Sequence, residues 1–183
     1  MDVVELPLEG LKLIRPKVFR DPRGFFLESF REDVLAAAGV RTDFVQDNHS
    51  RSVKNTVRGL HFQRAGERSP GQAKLVRVAT GRIFDVAVDL RRGSPTFGKW
   101  HGEVLDDEGH AQLFVPIGFA HGFCVLSDVA DVLYKVTSVY DPATETGFAF
   151  DDPEVGVAWP VTRSQALLSA RDIAAKALGE IPL

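Results

Sequence analysis

A single cysteine, Cys124, occurs in the 183 residues, which excludes an internal disulfide framework and any cysteine-cluster zinc site. It sits in AHGFCVL among apolar neighbours and reads as an inert core thiol. No apolar run approaches the roughly 18 residues of a membrane span. The acidic N-terminus MDVVELPLEG lacks the basic-then-apolar order of a signal peptide, so the cytoplasm is the expected location. Basic charge is not in excess: a net charge of -3 makes nucleic acid a poor candidate partner. GxGxxG and GxxxxGK[ST] loops are missing, as is any long helical period in the middle of the chain, which argues against a parallel nucleotide-binding sheet. His49, His61, His101, His110 and His121 form no HxH or HxxxH pair, so no metal is expected.

What is present is an ordinary globular composition, 44% apolar and 26% charged, in a length that fits one domain over 1–183. Short runs rich in Val, Ile, Phe and Leu, separated by Gly, Pro, Asp and Ser, predict strands near 10–19, 24–30, 43–50, 56–63, 72–80, 82–90, 98–105, 112–115, 120–126 and 131–140. The fold class is therefore all-β, an antiparallel sandwich or barrel. Two short helices are expected, at 31–38 stopped by Gly39 and at 170–178 stopped by Gly179, the second capped by Ser169. The turn-rich RAGERSPG at 64–71 is expected to join two strands as a mobile loop.

Side chains alternate along a strand, so parity sorts the polar residues by face. Phe26 and Glu28 fall together, as do Gln46, Asn48 and Ser50, with Asp47 and His49 opposite. Gln72 pairs with Lys74, Asp85 with Asp89, and Tyr134 with Val132 and Val136. In RGLHFQ, His61 and Gln63 fall on one face and Arg58 on the other. For Arg58 and His61 to line one pocket the strand must bulge near Gly59, where the missing side chain permits it. A small barrel with His, Lys, Tyr, Asn and Gln on its inner face is suited to hold a ligand. Each residue also has an ordinary structural role: His61 as a hydrogen-bonded core residue or a surface one, Lys74 as a solvated strand-end charge, Tyr134 and Tyr140 as core or rim aromatics with a wet hydroxyl, and Asp172 in an S-x-x-[DE] capping pattern with Ser169.

One arrangement explains them together. DPRGFFLESF (21–30), FVQDNHSRS (44–52), RGLHFQ (58–63), QAKLVRV (72–78), DVAVDLRRGSPTFGKW (85–100), VPIGFAHGF (115–123), YKVTSVY (134–140), DDP (151–153), WP (159–160) and LSARD (168–172) occur in order. With these motifs the chain resembles the dTDP-4-dehydrorhamnose 3,5-epimerases of the cupin superfamily over nearly its whole length. The resemblance implies a cupin-type jelly-roll barrel with short peripheral helices. It also implies a homodimer with strands exchanged between subunits, acting without a cofactor on dTDP-4-keto-6-deoxyglucose.

It further implies the roles. His61 corresponds to the general base, held by Asp172, and Tyr134 to the general acid on the other side of the sugar ring. Lys74 corresponds to the group that stabilises the enolate oxygen. Arg23 and Arg58 suit the pyrophosphate, Phe26 and Tyr140 offer faces for thymine, and Glu28, Gln46 and Asn48 serve the base and ribose. Arg23, Phe26 and Glu28 would reach into the partner's pocket. Arg171, where the family often has lysine, adds a phosphate contact, and His121 lies in the site region. A hydrogen on C3 or C5 is alpha to the C4 carbonyl, so its removal needs a base that works near neutral pH, and imidazole does. The nearest rival is a relative that inverts one carbon only. A related ketoisomerase, a non-enzymatic sugar-nucleotide cupin and a metal-dependent cupin oxygenase fit the motifs less well.

Overall fold

The computed structural model describes residues 1–66 and 70–183. Its strands are β1 (Asp2–Glu5), β2 (Lys12–Arg15), β3 (Val18–Asp21), β4 (Gly24–Leu27), β5 (Gln46–Val53), β6 (Val57–Gln63), β7 (Lys74–Thr80), β8 (Arg82–Asp89), β9 (Trp100–Asp106), β10 (Gln112–Val115), β11 (Phe119–Val125), β12 (Val129–Val136) and β13 (Glu145–Gly147). Two short helices, α1 (Glu32–Ala37) and α2 (Ala170–Ile173), lie outside the sheets. The strands form a six-stranded sheet in the order β1-β2-β10-β7-β12-β5, a five-stranded sheet in the order β13-β6-β11-β8-β9, and a separate β3-β4 hairpin. Pairing within the sheets is antiparallel throughout.

The two large sheets pack face to face, as the all-β expectation requires. Leu13, Val76, Leu113 and Val132 of one meet Ile83, Leu105, Phe119 and Phe123 of the other in a shared core. β11 is buried along its whole length because its outer face is covered as well. There Leu60, Phe62, Val86 and Val88 pack under Phe148, Val155 and Leu178 of the C-terminal segment. Helix α1 covers part of the other outer face, with Leu35 against Ile14, Leu75 and Phe114. Cys124 is buried in a further cluster with Val57 and Phe150, and burial pushes its thiol up to about 11, in keeping with an inert role. Among the described residues no helix is long and apolar enough to cross a membrane.

Several predicted elements differ from those observed. The strand expected at 10–19 is two, β2 and β3, because Pro16 has no N–H to continue a ladder. The strand expected at 43–50 runs from Gln46 to Val53, where it pairs with the full length of β12. β1, four residues, and β13, three, are too short to show an alternation that periodicity would recognise. The helix expected at 170–178 is a single turn, α2, followed by an irregular stretch and a 3-10 turn, Leu178–Glu180, that contains Gly179. Tertiary hydrogen bonds outcompete helical ones there: Leu178 N donates to Asp152 Oδ2 at 2.7 Å and Ala149 N donates to Lys176 O at 2.8 Å. The loop expected at 64–71 connects β6 to β7, and its centre, 67–69, lies outside the described residues.

Candidate active site

β5 shows how the fold opens a site. Its inward positions, Gln46, Asn48, Ser50 and Ser52, are polar and less exposed than the alternating Asp47, His49 and Arg51. A strand that turns polar side chains toward the space between two sheets cannot close it with apolar packing. A cavity of about 510 Å³ remains, lined by Ser50, Arg58, His61, Lys74, His121, Tyr134, Arg171 and Asp172 among others. A smaller space of about 200 Å³ continues from it past His61, Lys74 and Tyr134 to Gln46, Asn48, Tyr140 and Glu145.

Arg58 and His61 share the cavity because β6 bulges where expected. Against β11, His121 pairs with His61 but Phe123 pairs with Arg58, so β6 spends one residue more than its partner. The extra turn of backbone occurs at Gly59, whose φ is +142°, and a Cβ there would lie 2.6 Å from Gly122 Cα. Gly122 is equally constrained, since its Cβ would meet Arg58 O at 2.8 Å. The substitution Gly122→Ala is therefore expected to cost roughly 1 to 3 kcal/mol of stability by overpacking. By displacing His61 it should also lower turnover by about 10²-fold. Thermal unfolding and kcat of the variant check both.

His61 Nε2 lies 2.6 Å from Asp172 Oδ1. Ser169 holds that carboxylate in turn: its Oγ donates to Asp172 Oδ2 at 2.8 Å and accepts from Asp172 N at 3.1 Å. The capping role and the role of orienting His61 thus coexist in one residue. Burial pushes the Asp172 carboxyl up, but the hydrogen bond from His61, the His61 charge, Ser169 and Arg171 outweigh it and hold the group below its ordinary value. With Nε2 turned to Asp172, Nδ1 is the nitrogen left to act on a bound molecule.

Tyr134 faces His61 from the opposite sheet, on β12, and Lys74 stands beside it on β7. Burial raises the Tyr134 phenol above its ordinary value, aided by Glu145 and opposed by the charge of Arg58. Burial lowers Lys74 to about 8, against the pull of Glu145 and Asp85. Arg58 Nε donates to Ser52 Oγ at 3.0 Å, which aims the guanidinium. His121 is held by Asp85 at 2.8 Å. Toward the smaller space, Gln46 Nε2 donates to Asn48 Oδ1 at 2.8 Å, and Gln46 Oε1 accepts from Tyr140 N at 2.9 Å. Among the described residues no cluster of three His, Cys, Asp or Glu side chains is arranged to hold a metal ion.

The fold thus brings His61, Lys74, Tyr134, Asp172, Arg58, His121 and Arg171 into one cavity, with Gln46, Asn48 and Tyr140 adjoining. Arg23, Phe26 and Glu28 stay outside it within one chain. Arg23 is at the tip of the β3-β4 hairpin, paired with Asp21, and its side chain is 91% exposed. Phe26 is 67% exposed and Glu28 pairs with Arg31 at 3.8 Å. Three residues escaped the sequence reading as site residues. Glu145, on the short β13, pairs with Arg171 and faces Lys74. Ser50 turns a hydroxyl with no partner into the cavity wall, and Asp85 supports His121 from below. Parity marked the faces of Ser50 and Asp85 but not their neighbours; nothing local marked Glu145.

Against known proteins, residues 5–180 match the family model described as dTDP-4-dehydrorhamnose 3,5-epimerase. A dTDP-4-dehydrorhamnose 3,5-epimerase of Neisseria gonorrhoeae is 49% identical over 176 residues; these are 96% of this chain, which spans 52% of that protein's length. A dTDP-4-dehydrorhamnose 3-epimerase of Streptomyces niveus is 44% identical over 96% of this chain and 83% of its own. The crystal structure of a dTDP-6-deoxy-D-glucose-3,5-epimerase from Legionella pneumophila, in complex with dTDP-4-keto-L-rhamnose, superposes with a TM-score of 0.92 at 46% identity, covering 99% of this chain and 94% of that one. Motif order, two-sheet architecture and these matches agree: the chain belongs to the dTDP-4-dehydrorhamnose 3,5-epimerase family.

Proposed function

We propose that the protein inverts C3 and C5 of dTDP-4-dehydro-6-deoxy-D-glucose, giving dTDP-4-dehydro-L-rhamnose. The observation that carries this reading is the placement of His61 and Tyr134 on opposite walls of one cavity, with Lys74 beside them. His61 Nδ1 takes the proton from C3 or C5, and the C–H electrons move into the C4 carbonyl to give an enolate. The Lys74 ammonium stabilises its oxygen, a donor effect of roughly 3 to 4 kcal/mol. Tyr134 O–H then delivers a proton to the opposite face of the carbon as the carbonyl reforms. Asp172 stabilises the imidazolium and fixes the ring. Substrate and product are isomers and the ketone itself stabilises the carbanion, so the reaction calls for no cofactor. Imidazolium and phenolate return to their starting forms by exchange with solvent.

The nucleotide end uses Arg58 and Arg171 for the diphosphate, with Tyr140, Gln46 and Asn48 for the base and ribose. The cytoplasm is the location in this reading. The test is solvent exchange: in heavy water, wild-type protein should place deuterium at both C3 and C5 of the substrate, followed by NMR. Deuterium at one carbon alone would favour single inversion, the reading supported by the similarity to the Streptomyces niveus 3-epimerase. No deuterium at either carbon would refute both.

The working unit in this reading is a homodimer in which Arg23, Phe26 and Glu28 complete the partner's site. The β3-β4 hairpin supports it: Phe19, Phe25 and Phe26 are all exposed, more apolar surface than a two-stranded ribbon can cover by itself. Arg23→Ala and His61→Ala proteins, each inactive, should then recover about a quarter of wild-type activity when mixed and reassociated, because half the dimers are mixed and half their sites intact. Mixing without recovery, in protein that sediments as a dimer, would mean that Arg23 serves its own subunit's site or none.

A further inference from the structure

Five aspartates are buried among the described residues, and four of them are satisfied on both carboxylate oxygens. Asp89 accepts from Arg91, Ser94 and Thr96; Asp131 from His49 and Arg51; Asp152 from three backbone amides; Asp172 from His61 and Ser169. Asp85 is the exception. It is fully buried, its Oδ1 lies 2.8 Å from His121 Nε2, and its Oδ2 has no partner. A half-satisfied buried carboxylate lowers stability, so packing alone gives no reason for it.

Its surroundings supply one. His121 sits directly across the β6-β11 ladder from His61, and both rings turn Nε2 to a carboxylate. A carboxylate there keeps the proton on Nε2 in the neutral ring and leaves Nδ1 for whatever occupies the cavity. Asp85 also acts on Lys74, which is buried and has no salt bridge among the described residues. The other charged or titratable groups around Lys74 are Glu145 from β13, Arg58 and His61 from β6, His121 from β11 and Tyr134 from β12, with Asp172 and Arg171 of α2 further along the cavity. Of the two carboxylates whose charge acts on Lys74, Glu145 acts more strongly and is also paired with Arg171, whereas Asp85 is fully buried, bonded to His121 and left with Oδ2 unpartnered.

We propose that Asp85 is a positioning residue for the epimerisation: it fixes His121 with Nδ1 toward the sugar in the cavity it shares with Lys74, and its buried negative charge adds to that of Glu145 in favouring the Lys74 ammonium as the enolate oxygen forms. This rests on the epimerase reading above. The test compares wild type, Asp85→Asn, His121→Ala and the double variant in kcat, KM and pH profile. Asparagine keeps the volume and an acceptor for Nε2–H but removes the charge. Asp85→Asn should lower kcat by about 10- to 100-fold with KM changed less than about threefold. It should also move the alkaline limb of kcat to lower pH, and its fold-loss should shrink when His121 is already alanine.

An unmoved alkaline limb, or the same fold-loss with and without His121, overturns the proposal. Independently of any variant's folding, ¹⁵N NMR of the wild-type imidazoles should find neutral His121 with its proton on Nε2, and a proton on Nδ1 overturns it as well. Wild-type protein that exchanges neither C3 nor C5 hydrogen sinks the epimerase reading itself, whereas an active wild type with an indifferent Asp85→Asn sinks only the role of Asp85.

Discussion

His61→Ala should lower epimerisation by roughly 10²- to 10⁴-fold, the range for loss of a positioned base, and should abolish deuterium entry at both C3 and C5. Both losses follow from one cause, because the ring faces the cavity with Nδ1 while Asp172 holds Nε2 at 2.6 Å. Tyr134→Phe is the instructive contrast. Its hydroxyl is needed only to return a proton on the far side, so the variant should lose inversion while some exchange with retained configuration persists at His61. Proton NMR of the sugar in heavy water separates the outcomes. Exchange that survives His61→Ala would remove His61 from the role of base, and exchange lost equally in both variants would mean the two residues do not divide the reaction between two faces.

Lys74→Met should reduce kcat by about 10²- to 10³-fold, the loss found when one donor to a developing oxyanion is removed, with a much smaller effect on KM. The wild-type pH profile tests the same group without mutation. Burial lowers Lys74 to about 8, so its ammonium is present below that pH and lost above it. Activity that depends on the ammonium therefore falls as pH rises through about 8. Tyr134, raised by burial above its ordinary value, is still protonated there and contributes no limb in that region. Asp172, held below its ordinary value, stays ionised across the neutral range. Should kcat in the wild type stay flat from pH 7 to roughly pH 10, where an unperturbed lysine titrates, Lys74 would not be the group that carries the enolate charge.

Local pattern alone determined a good part of this protein. Alternation of apolar and polar residues placed most strands of the two sheets, because a strand with one face in a core must repeat every two residues whatever surrounds it. The same parity put Gln46, Asn48 and Ser50 on one face, and the need for Arg58 and His61 to meet located the bulge at Gly59. Motif order carried the family, and with it a list of residues of which His61, Lys74, Tyr134, Asp172, Arg58, His121 and Arg171 line the cavity, Gln46, Asn48 and Tyr140 adjoin it, and Arg23, Phe26 and Glu28 lie outside it within one chain.

Tertiary structure decided the rest. The segment 170–178 has the composition of a helix, but its backbone groups find better partners on Ala149 and Asp152, so only one turn forms. β13 has no pattern of its own and exists because β6 offers an open ladder to Glu145, Thr146 and Gly147. Glu145, Ser50 and Asp85 take part in the site through residues distant in sequence: Glu145 pairs with Arg171, Asp85 with His121, and Ser50 lines the cavity that Tyr134 and His61 also line. Period-two alternation says which face a side chain occupies but not what stands across the cavity from it. Burial, charge and hydrogen-bond partners depend on that second sheet, and only the packing of the two sheets together supplies it.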